Sequence, residues 1–327
     1  MTEVLIVSVN YRVPELAIKC LASVAAELDN MPETKMVVVE NGSEDGSFEK
    51  ISTAIEENGW QDWASCVDSG RNGGFAFGNN VGIRPALNSE NPPDYIWLLN
   101  PDAEICKGAG NDLYAFMESH PKAGFVTGDE IDAKGELQPT AFYRFSALGE
   151  FVNTMRLKFL AVLFPKTIIP IQPDSTPHQG DWLSGSSLMI RREVFDDVGL
   201  MDESYFLYFE ESDFCLQAQR KGWQLWYTPG GRIYHEAGSS TGIWVQDEKS
   251  PRRPAYWFES RRRYFLKNFS PLYAMAADSL WILGYSIWKI RRFIQRKPDF
   301  DPPYFLRDFF MNSVFMKGFA IKETKNT

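Results

Sequence analysis

The sequence predicts an α/β fold, a mostly parallel central sheet flanked by helices and followed by a helical C-terminal extension. Three observations predict it. Short β-branched runs alternate with segments of helical spacing through the first hundred or so residues. Each run ends abruptly in polar residues. The run YIWLL, Tyr95 to Leu99, is apolar at every position, as a strand covered on both faces must be.

Taken in order, VLIVSVNY (Val4 to Tyr11) reads as the first strand, and PELAIKCLASVAAEL (Pro14 to Leu28) as a helix with Pro in its first turn. KMVVVENGSEDGS (Lys35 to Ser47) repeats the strand and polar turn. SFEKISTAIEENG then reads as a helix, with Ser47 as candidate cap and Gly59 as its stop. ASCVDS (Ala64 to Ser69) is a weaker strand that leads through a glycine-rich turn, GRNGGFAFGNNVGIRPAL, into a further helix, and YIWLL follows. In the second half, AGFVTGDEIDAKGELQPTAF (Ala123 to Phe142) has the turn signals of short strands and a hairpin. SSLMIRR is a strand before a helix that stops at Gly199, and YFEESDFCLQAQRKGW (Tyr208 to Trp223) is helical. QLWYTPGGRIYHEAGSS (Gln224 to Ser240) is a strand pair, or a strand and a loop.

Composition narrows the function classes. With 44% hydrophobic and 14% aromatic residues in 327, the chain can bury a large core, and a net charge of −9 argues against general nucleic-acid binding. Cys20, Cys66, Cys106 and Cys215 lie far apart with no CxxC pair, so neither a zinc site nor a disulfide framework is expected, and a reducing cytoplasm fits. No secretion signal and no apolar run of about 20 residues is expected to direct the chain into a membrane. Charge is uneven: between Ser250 and Pro298 there are eleven Lys or Arg against two acids.

In parallel sheets ligands bind beyond the carboxyl ends of the strands. Those ends here carry Asn10-Tyr11, Glu40-Asn41, Gly70 to Gly74 and Asn100-Pro101-Asp102. Asp102 and Glu104 are hard oxygen ligands of the kind that hold Mg or Mn, or simply a solvated turn. Arg71, Asn72 and Asn79 set donors around the glycines, which fits a nucleotide against backbone, although the pattern is GxxGG and not a dinucleotide fingerprint. Glu210, Glu211 and Asp213 open a helix after the aromatic run YFLYF. They are either helix-dipole caps or acids whose pKa is raised by an apolar setting, suited to a general base. His235 stands in a polar segment that could approach a phosphate, whereas His120 and His178 receive no role.

With these pieces in order, the chain resembles the family 2 glycosyltransferases, in their bacterial rhamnosyltransferase-like branch. The matching segments, in family order, are VLIVSVNYRVPELAIKCLASV, VVVENGSEDGS, NGGFAFGNNVGI, WLLNPDAEI, DWLSGSSLMIRREVFDDVGLMDESYFLYFEESDFCLQAQRKGW and YHEAGSSTG, covering roughly residues 3 to 242. The resemblance implies a GT-A type nucleotide-diphosphosugar transferase domain over residues 1–245, with 246–327 as a basic, aromatic-rich helical extension. It implies a divalent metal, Mg or Mn, held by Asp102 of Asn100-Pro101-Asp102 and by His235. Glu104 falls outside the aligned triplet. It further implies Glu40 at the donor's base or ribose, Arg71, Asn72 and Gly74 in the same pocket, and Asn100 at the donor site, where Asn10 also lies. The base is the second acid of the family's Glu-Asp pair, which is Glu211 here. The extra methylene shifts a carboxylate by about an ångström, and Glu210 and Asp213 stay candidates.

The expected activity is inverting transfer of a sugar, rhamnose by family default, from a dTDP or UDP donor to a hydroxyl of a glycan or polyprenyl-linked glycan, within polysaccharide biosynthesis. The rival readings are a sugar-nucleotide-binding protein without catalysis and a sugar nucleotidyltransferase. The latter's glycine- and lysine-containing loop after the first strand is missing from VNYRVPE. In DSLWILGYSIWKIRRFIQRK (Asp278 to Lys297), Leu280, Leu283, Ile287, Ile290 and Ile294 form a helical stripe beside Lys289, Arg291, Arg292, Arg296 and Lys297. Two expectations follow with equal weight: a helix lying on the anionic inner face of the cytoplasmic membrane, or one packed on the catalytic domain or a second subunit.

Overall fold

A computed structural model describes residues 3–167, 169–235 and 250–321. Its first half runs β1 (Glu3–Asn10), α1 (Pro14–Ala25), β2 (Glu33–Glu40), α2 (Ser47–Glu57), β3 (Ala64–Asp68), α3 (Phe75–Leu87), β4 (Tyr95–Leu99), β5 (Ala103–Ile105) and α4 (Ala109–Ser119). There follow β6 (Ala123–Thr127), β7 (Glu130–Ile131), β8 (Leu137–Gln138), β9 (Ala141–Phe142), α5 (Ala147–Met155), α6 (Lys158–Leu163), β10 (Pro170–Ile171), β11 (His178–Gln179), β12 (Trp182–Leu183) and β13 (Ser187–Arg191). The remainder is α7 (Arg192–Val198), α8 (Glu210–Arg220), β14 (Gln224–Tyr227), β15 (Ile233–His235), α9 (Ala255–Asn268), α10 (Pro271–Ile294), α11 (Phe305–Asn312) and α12 (Val314–Lys317).

Eight strands form the main sheet in the order β11-β14-β6-β13-β4-β1-β2-β3. β1 to β4 are mutually parallel, as expected, and β6 pairs parallel with β14; β13 runs antiparallel between β4 and β6, and β11 antiparallel on the edge. Side chains of a strand alternate between faces. Thus Tyr95, Trp97 and Leu99 enter one core with α1, α2 and α4, while Ile96 and Leu98 enter the other with α3, α7 and α8. This two-sided burial is why YIWLL has no polar position. The weak strand β3 is the sheet's edge.

Two local expectations are corrected. Ser47 is the first residue of α2 rather than its cap, and Asp45 accepts its N–H at 3.0 Å after a left-handed Gly46. β14 and β15 are not a pair: β14 joins the main sheet, whereas β15 lies between β5 and β7 in a separate four-stranded sheet.

The extension packs on the body of the protein. Tyr264, Phe265, Ala274 and Ala277 share one core with Ala147, Tyr205, Phe209 and Leu216, and α10 lies along α5. The expected boundary at 245/246 falls outside the described residues. Of the α10 stripe, Leu283, Ile290 and Ile294 face outward and Leu280 and Ile287 are partly buried, while the buried face of the helix is Ala274, Ala277, Trp281, Gly284, Tyr285 and Trp288. No helix among the described residues is long and apolar enough to cross a membrane.

Gly284 sets the closeness of α10 to α5, because a β-carbon there would overlap the Thr154 hydroxyl and stand 2.8 Å from the Phe151 carbonyl. Gly284→Ala should therefore lower unfolding stability by about 1–3 kcal/mol in urea titration, the cost of overpacking a closed interface.

Candidate functional site

The parallel register aligns the strand ends, Asn10 opposite Glu40 and Glu40 opposite Asp68. Past them, Asn41 knits the loops together. Its amide donates to the Gly74 carbonyl at 3.2 Å and to Asn72 Oδ1 at 3.3 Å, while Asn72 Oδ1 also accepts the Gly74 N–H at 3.1 Å. A cleft of about 370 Å³ opens here, bordered by Tyr11, Asn41, Asn72, Gly74, Phe206 and Tyr256. Gly74 has a φ of +87°, and a β-carbon there would overlap the Phe206 carbonyl, which accepts the Phe75 N–H at 3.0 Å.

The predicted donor residues fall into three groups. Asn72 and Gly74 line the cleft. Asn10 and Glu40, next in sequence to the cleft residues Tyr11 and Asn41, are buried and do not line it; Asn10 Oδ1 accepts the Val13 N–H, and both oxygens of Glu40 accept backbone N–H groups, from Gly42 and Ser43. Arg71 is exposed and lies over the Phe77 ring at 4.6 Å, and Asn79 is turned into α3, donating to the Phe75 carbonyl at 3.0 Å.

A second set of groups meets at the end of β4. Because β15 pairs His235 with Ala103 of β5 on one side and Ile233 with Glu130 of β7 on the other, three residues distant in sequence converge. His235 Nε2 is 3.1 Å from Asp102 Oδ1, Nδ1 is 2.8 Å from Glu130 Oε1, and Asn100 Nδ2 is 3.4 Å from Nε2. All of Asp102, Glu130 and His235 are buried. Burial lowers the histidine's pKa, but the hydrogen bonds and charges of Asp102 and Glu130 outweigh it and raise it to about 10. Glu104 sits exposed on β5, opposite Tyr234, away from this set.

Among the described residues no three His, Cys, Asp or Glu side chains are arranged to cage an ion. Asp102 and His235 nonetheless fit the implied metal. Two ligands on adjacent vertices of an octahedral Mg or Mn site stand about 3 Å apart, and such ions take their other ligands from water and substrate phosphates. Nε2 and Oδ1 are 3.1 Å apart in direct hydrogen-bond contact, so an ion that displaces the proton between them would find both ligand atoms converging on one point.

The third set is the acids of α8. Tyr208 and Phe209, with φ of +69° and +70°, turn the chain sharply before it. Glu210 is 1% exposed with Oε2 unpartnered, and its pKa is pushed far up by burial and then by the neighbouring Glu211. Glu211 is partly exposed; burial lifts it from the ordinary 4.5 to about 7, against the backbone N–H groups of Glu211 itself and Gly185. Asp213 is committed elsewhere, to Lys267 at 2.6 Å and the Asn268 amide at 2.6 Å. The SGSS turn joins the sets. A β-carbon on Gly185 would touch both Phe75 of the cleft and Glu211, and Ser186 accepts the Asn100 N–H on its carbonyl and donates its hydroxyl to Glu130.

A cleft at the strand ends and a carboxylate and histidine at the end of a central strand thus stand with an acid pair of which Glu210 is buried and Glu211 partly exposed. The family profile described as "Glycosyl transferase family group 2" matches residues 95–311, about two thirds of the chain. The chain belongs to this family. Its fold is GT-A: it aligns with the mannosyltransferase PcManGT from Pyrobaculum calidifontis, solved with GDP-Man and Mn2+, at a TM-score of 0.52 and 11% identity, over 90% of this chain and 75% of that one. This family 2 chain is rhamnosyltransferase-like. It is 30% identical to the N-acetylglucosaminyl-diphospho-decaprenol L-rhamnosyltransferase of Mycobacterium tuberculosis over 46% of its length and 49% of that protein's. It is also 30% identical to the low-salt glycan biosynthesis hexosyltransferase Agl10 of Haloferax volcanii, over 47% of its length and 46% of that protein's. The chain thus spans about half the length of these curated relatives.

Sequence reasoning missed Glu130, which occupies a two-residue strand with no periodicity, and Tyr256, which reaches the cleft from the extension. Asn41 reads in the sequence only as a polar strand end, and its place in ENG, directly after the Glu of that strand end, is the one signal it carries.

The acid pair has a measurable consequence. A carboxyl that holds its proton more tightly when folded favours folding at low pH, and that contribution fades as pH rises from the unfolded value of 4.5 through about 7. Glu211→Gln cannot ionise, so its urea midpoint should gain on wild type between about pH 5 and about pH 8.

Proposed function

We propose that the protein is an inverting glycosyltransferase that moves a sugar, rhamnose by family default, from a dTDP or UDP donor to a hydroxyl of a glycan or polyprenyl-linked glycan. The observation that carries this reading is Glu211, an acid raised to about 7 and partly open, against the same turn that touches the cleft and braces Asn100 and Glu130. In this reading Asn41, Asn72 and Gly74 hold the nucleotide in the cleft, and Asn100 contacts the donor. Glu211, ionised, takes the acceptor's hydroxyl proton while that oxygen bonds to the anomeric carbon. The bond from that carbon to the diphosphate oxygen breaks, its electron pair leaves with the diphosphate, and configuration inverts. Mg or Mn held by Asp102 and His235 would supply Lewis-acid stabilisation of the leaving diphosphate. A base with a pKa near neutrality combines a useful ionised fraction with real proton affinity.

The test uses dTDP-rhamnose and UDP-sugars with a polyprenyl-linked acceptor. Glu211→Gln should keep donor binding and lose about 10²–10⁴-fold in turnover. Near-normal transfer by that variant removes Glu211 from the role.

Location follows a separate observation. On α10 Phe293 is 83% exposed and on α6 Val162 is 82% exposed. α10 passes near the start of α6, because Arg156, between α5 and α6, accepts Arg291 on its carbonyl and lies over Trp288 at 4.8 Å. Phe159 and Leu163 on α6 and Ile290 and Ile294 on α10 are exposed too, as are Lys158 and Lys166 on and after α6 and Arg296 and Lys297 just after α10. Apolar side chains rimmed by cations suit an anionic lipid surface, so we infer peripheral attachment to the inner face of the cytoplasmic membrane, where a polyprenyl-linked acceptor resides. The protein should co-sediment with phosphatidylglycerol-containing vesicles at low salt, and Phe293→Ser with Ile294→Ser should weaken binding about tenfold or more. A protein that ignores such vesicles has no such attachment.

A further inference from the structure

We propose that Glu130 is the positioning residue of the metal site: it keeps the Nδ1 proton on the His235 imidazole, so that Nε2, beside Asp102, is the nitrogen that gives up its proton to an ion. The proposal rests on the metal reading above and names a residue which that reading does not use. A histidine offers an ion only the nitrogen that is free of a proton, so the tautomer must be set from the other side of the ring. Here Nδ1–H donates to Glu130 Oε1 at 2.8 Å, on the side of the ring opposite Asp102. Glu130 is itself held: its other oxygen, Oε2, accepts the Ser186 hydroxyl at 2.6 Å. The Ser186 hydroxyl is 2.9 Å from that of Ser184.

Both residues are placed by backbone. Glu130 pairs with Ile233 across β7 and β15, two positions before His235 on the same strand, and Ser186 precedes β13, where its carbonyl accepts the Asn100 N–H at 2.9 Å. The brace therefore joins the histidine ligand to the loop carrying Asp102. A chain of carboxylate, imidazole and ion also raises the basicity of the ligating nitrogen. In a buried site, a carboxylate committed to one imidazole N–H and one hydroxyl is satisfied without being a ligand itself.

The experiment is Mn2+ titration of the full protein, followed by loss of the free-ion paramagnetic resonance signal, with dTDP and, separately, UDP present. Electron spin echo modulation reports whether an imidazole nitrogen is coupled to the ion. Glu130→Gln keeps the shape and removes the charge; it should raise the Mn2+ dissociation constant about 10–100-fold and diminish the nitrogen coupling. Metal-free nucleotide binding and the urea midpoint serve as controls for folding, and Glu130→Asp should restore part of the affinity. Ser186→Ala, which frees Glu130 to move, should give a smaller loss in the same direction. Mn2+ binding that is unchanged in Glu130→Gln but lost in His235→Ala overturns the role of Glu130 alone. Binding indifferent to both variants overturns it together with the metal reading.

Discussion

The site depends on one constraint, the entry of β13 into the sheet antiparallel to β4. Insertion of a reversed strand beside the central parallel strands places the turn before it, Ser184 to Ser186, against the end of β4. From that turn the Ser186 carbonyl holds Asn100, its hydroxyl holds Glu130, and Gly185 lies against Glu211. A side chain at Gly185 would push into Phe75 and Glu211 together. Trp97 reinforces the register from below by donating its indole N–H to Ser187 at 3.0 Å, a bond that a one-residue slip would break while turning every side chain to the wrong face.

The second expense is the turn before α8. Two consecutive left-handed residues that are not glycine cost about 1–2 kcal/mol each, and a buried Glu210 with an unpartnered oxygen adds to that. Packing from the body and from the extension offsets it. Phe209 packs against Phe145 at 4.7 Å and Tyr264 at 5.7 Å between ring centres, and Ser260 donates to the Leu207 carbonyl at 3.0 Å. Tyr256 of α9 reaches the cleft as well. The helices after residue 250 are therefore part of what holds the candidate base in place, whatever their outer face contacts.

These dependencies mark what a sequence can and cannot disclose. The strands, the polar strand ends and NPD were legible because burial on two faces leaves an unbroken apolar run and because ligands gather where such runs stop. The pairing of Asp102 with His235 was legible only through resemblance, since it depends on β15 pairing with β5 across more than a hundred residues. Glu104 looked equivalent to Asp102 by spacing, but a strand alternates faces only once it is paired, and β5 is paired so that Glu104 points to solvent. The stripe of α10 is divided by the same kind of tertiary choice. A helix rich in large residues has several apolar faces, and here the Tyr285 hydroxyl and the Trp288 indole reach Asp301 while Trp281 stacks on Tyr285, which leaves Leu283, Ile290 and Ile294 outside.

Three acids lie within four residues, and their surroundings separate them by a physical argument. Asp213 is tied to Lys267 and Asn268, so transferring a proton to it would first have to break an ion pair. Glu210 is sealed from solvent, and its repulsion by Glu211 favours its protonated form, which cannot act as a base. That same repulsion is relieved when Glu210 stays neutral, leaving Glu211 as the member of the pair that ionises. Glu211 alone is partly exposed, and its longer side chain reaches to the Gly185 backbone. Gly185 leaves room for that longer side chain, with the Glu211 γ-carbon 3.2 Å from where a β-carbon on that glycine would stand.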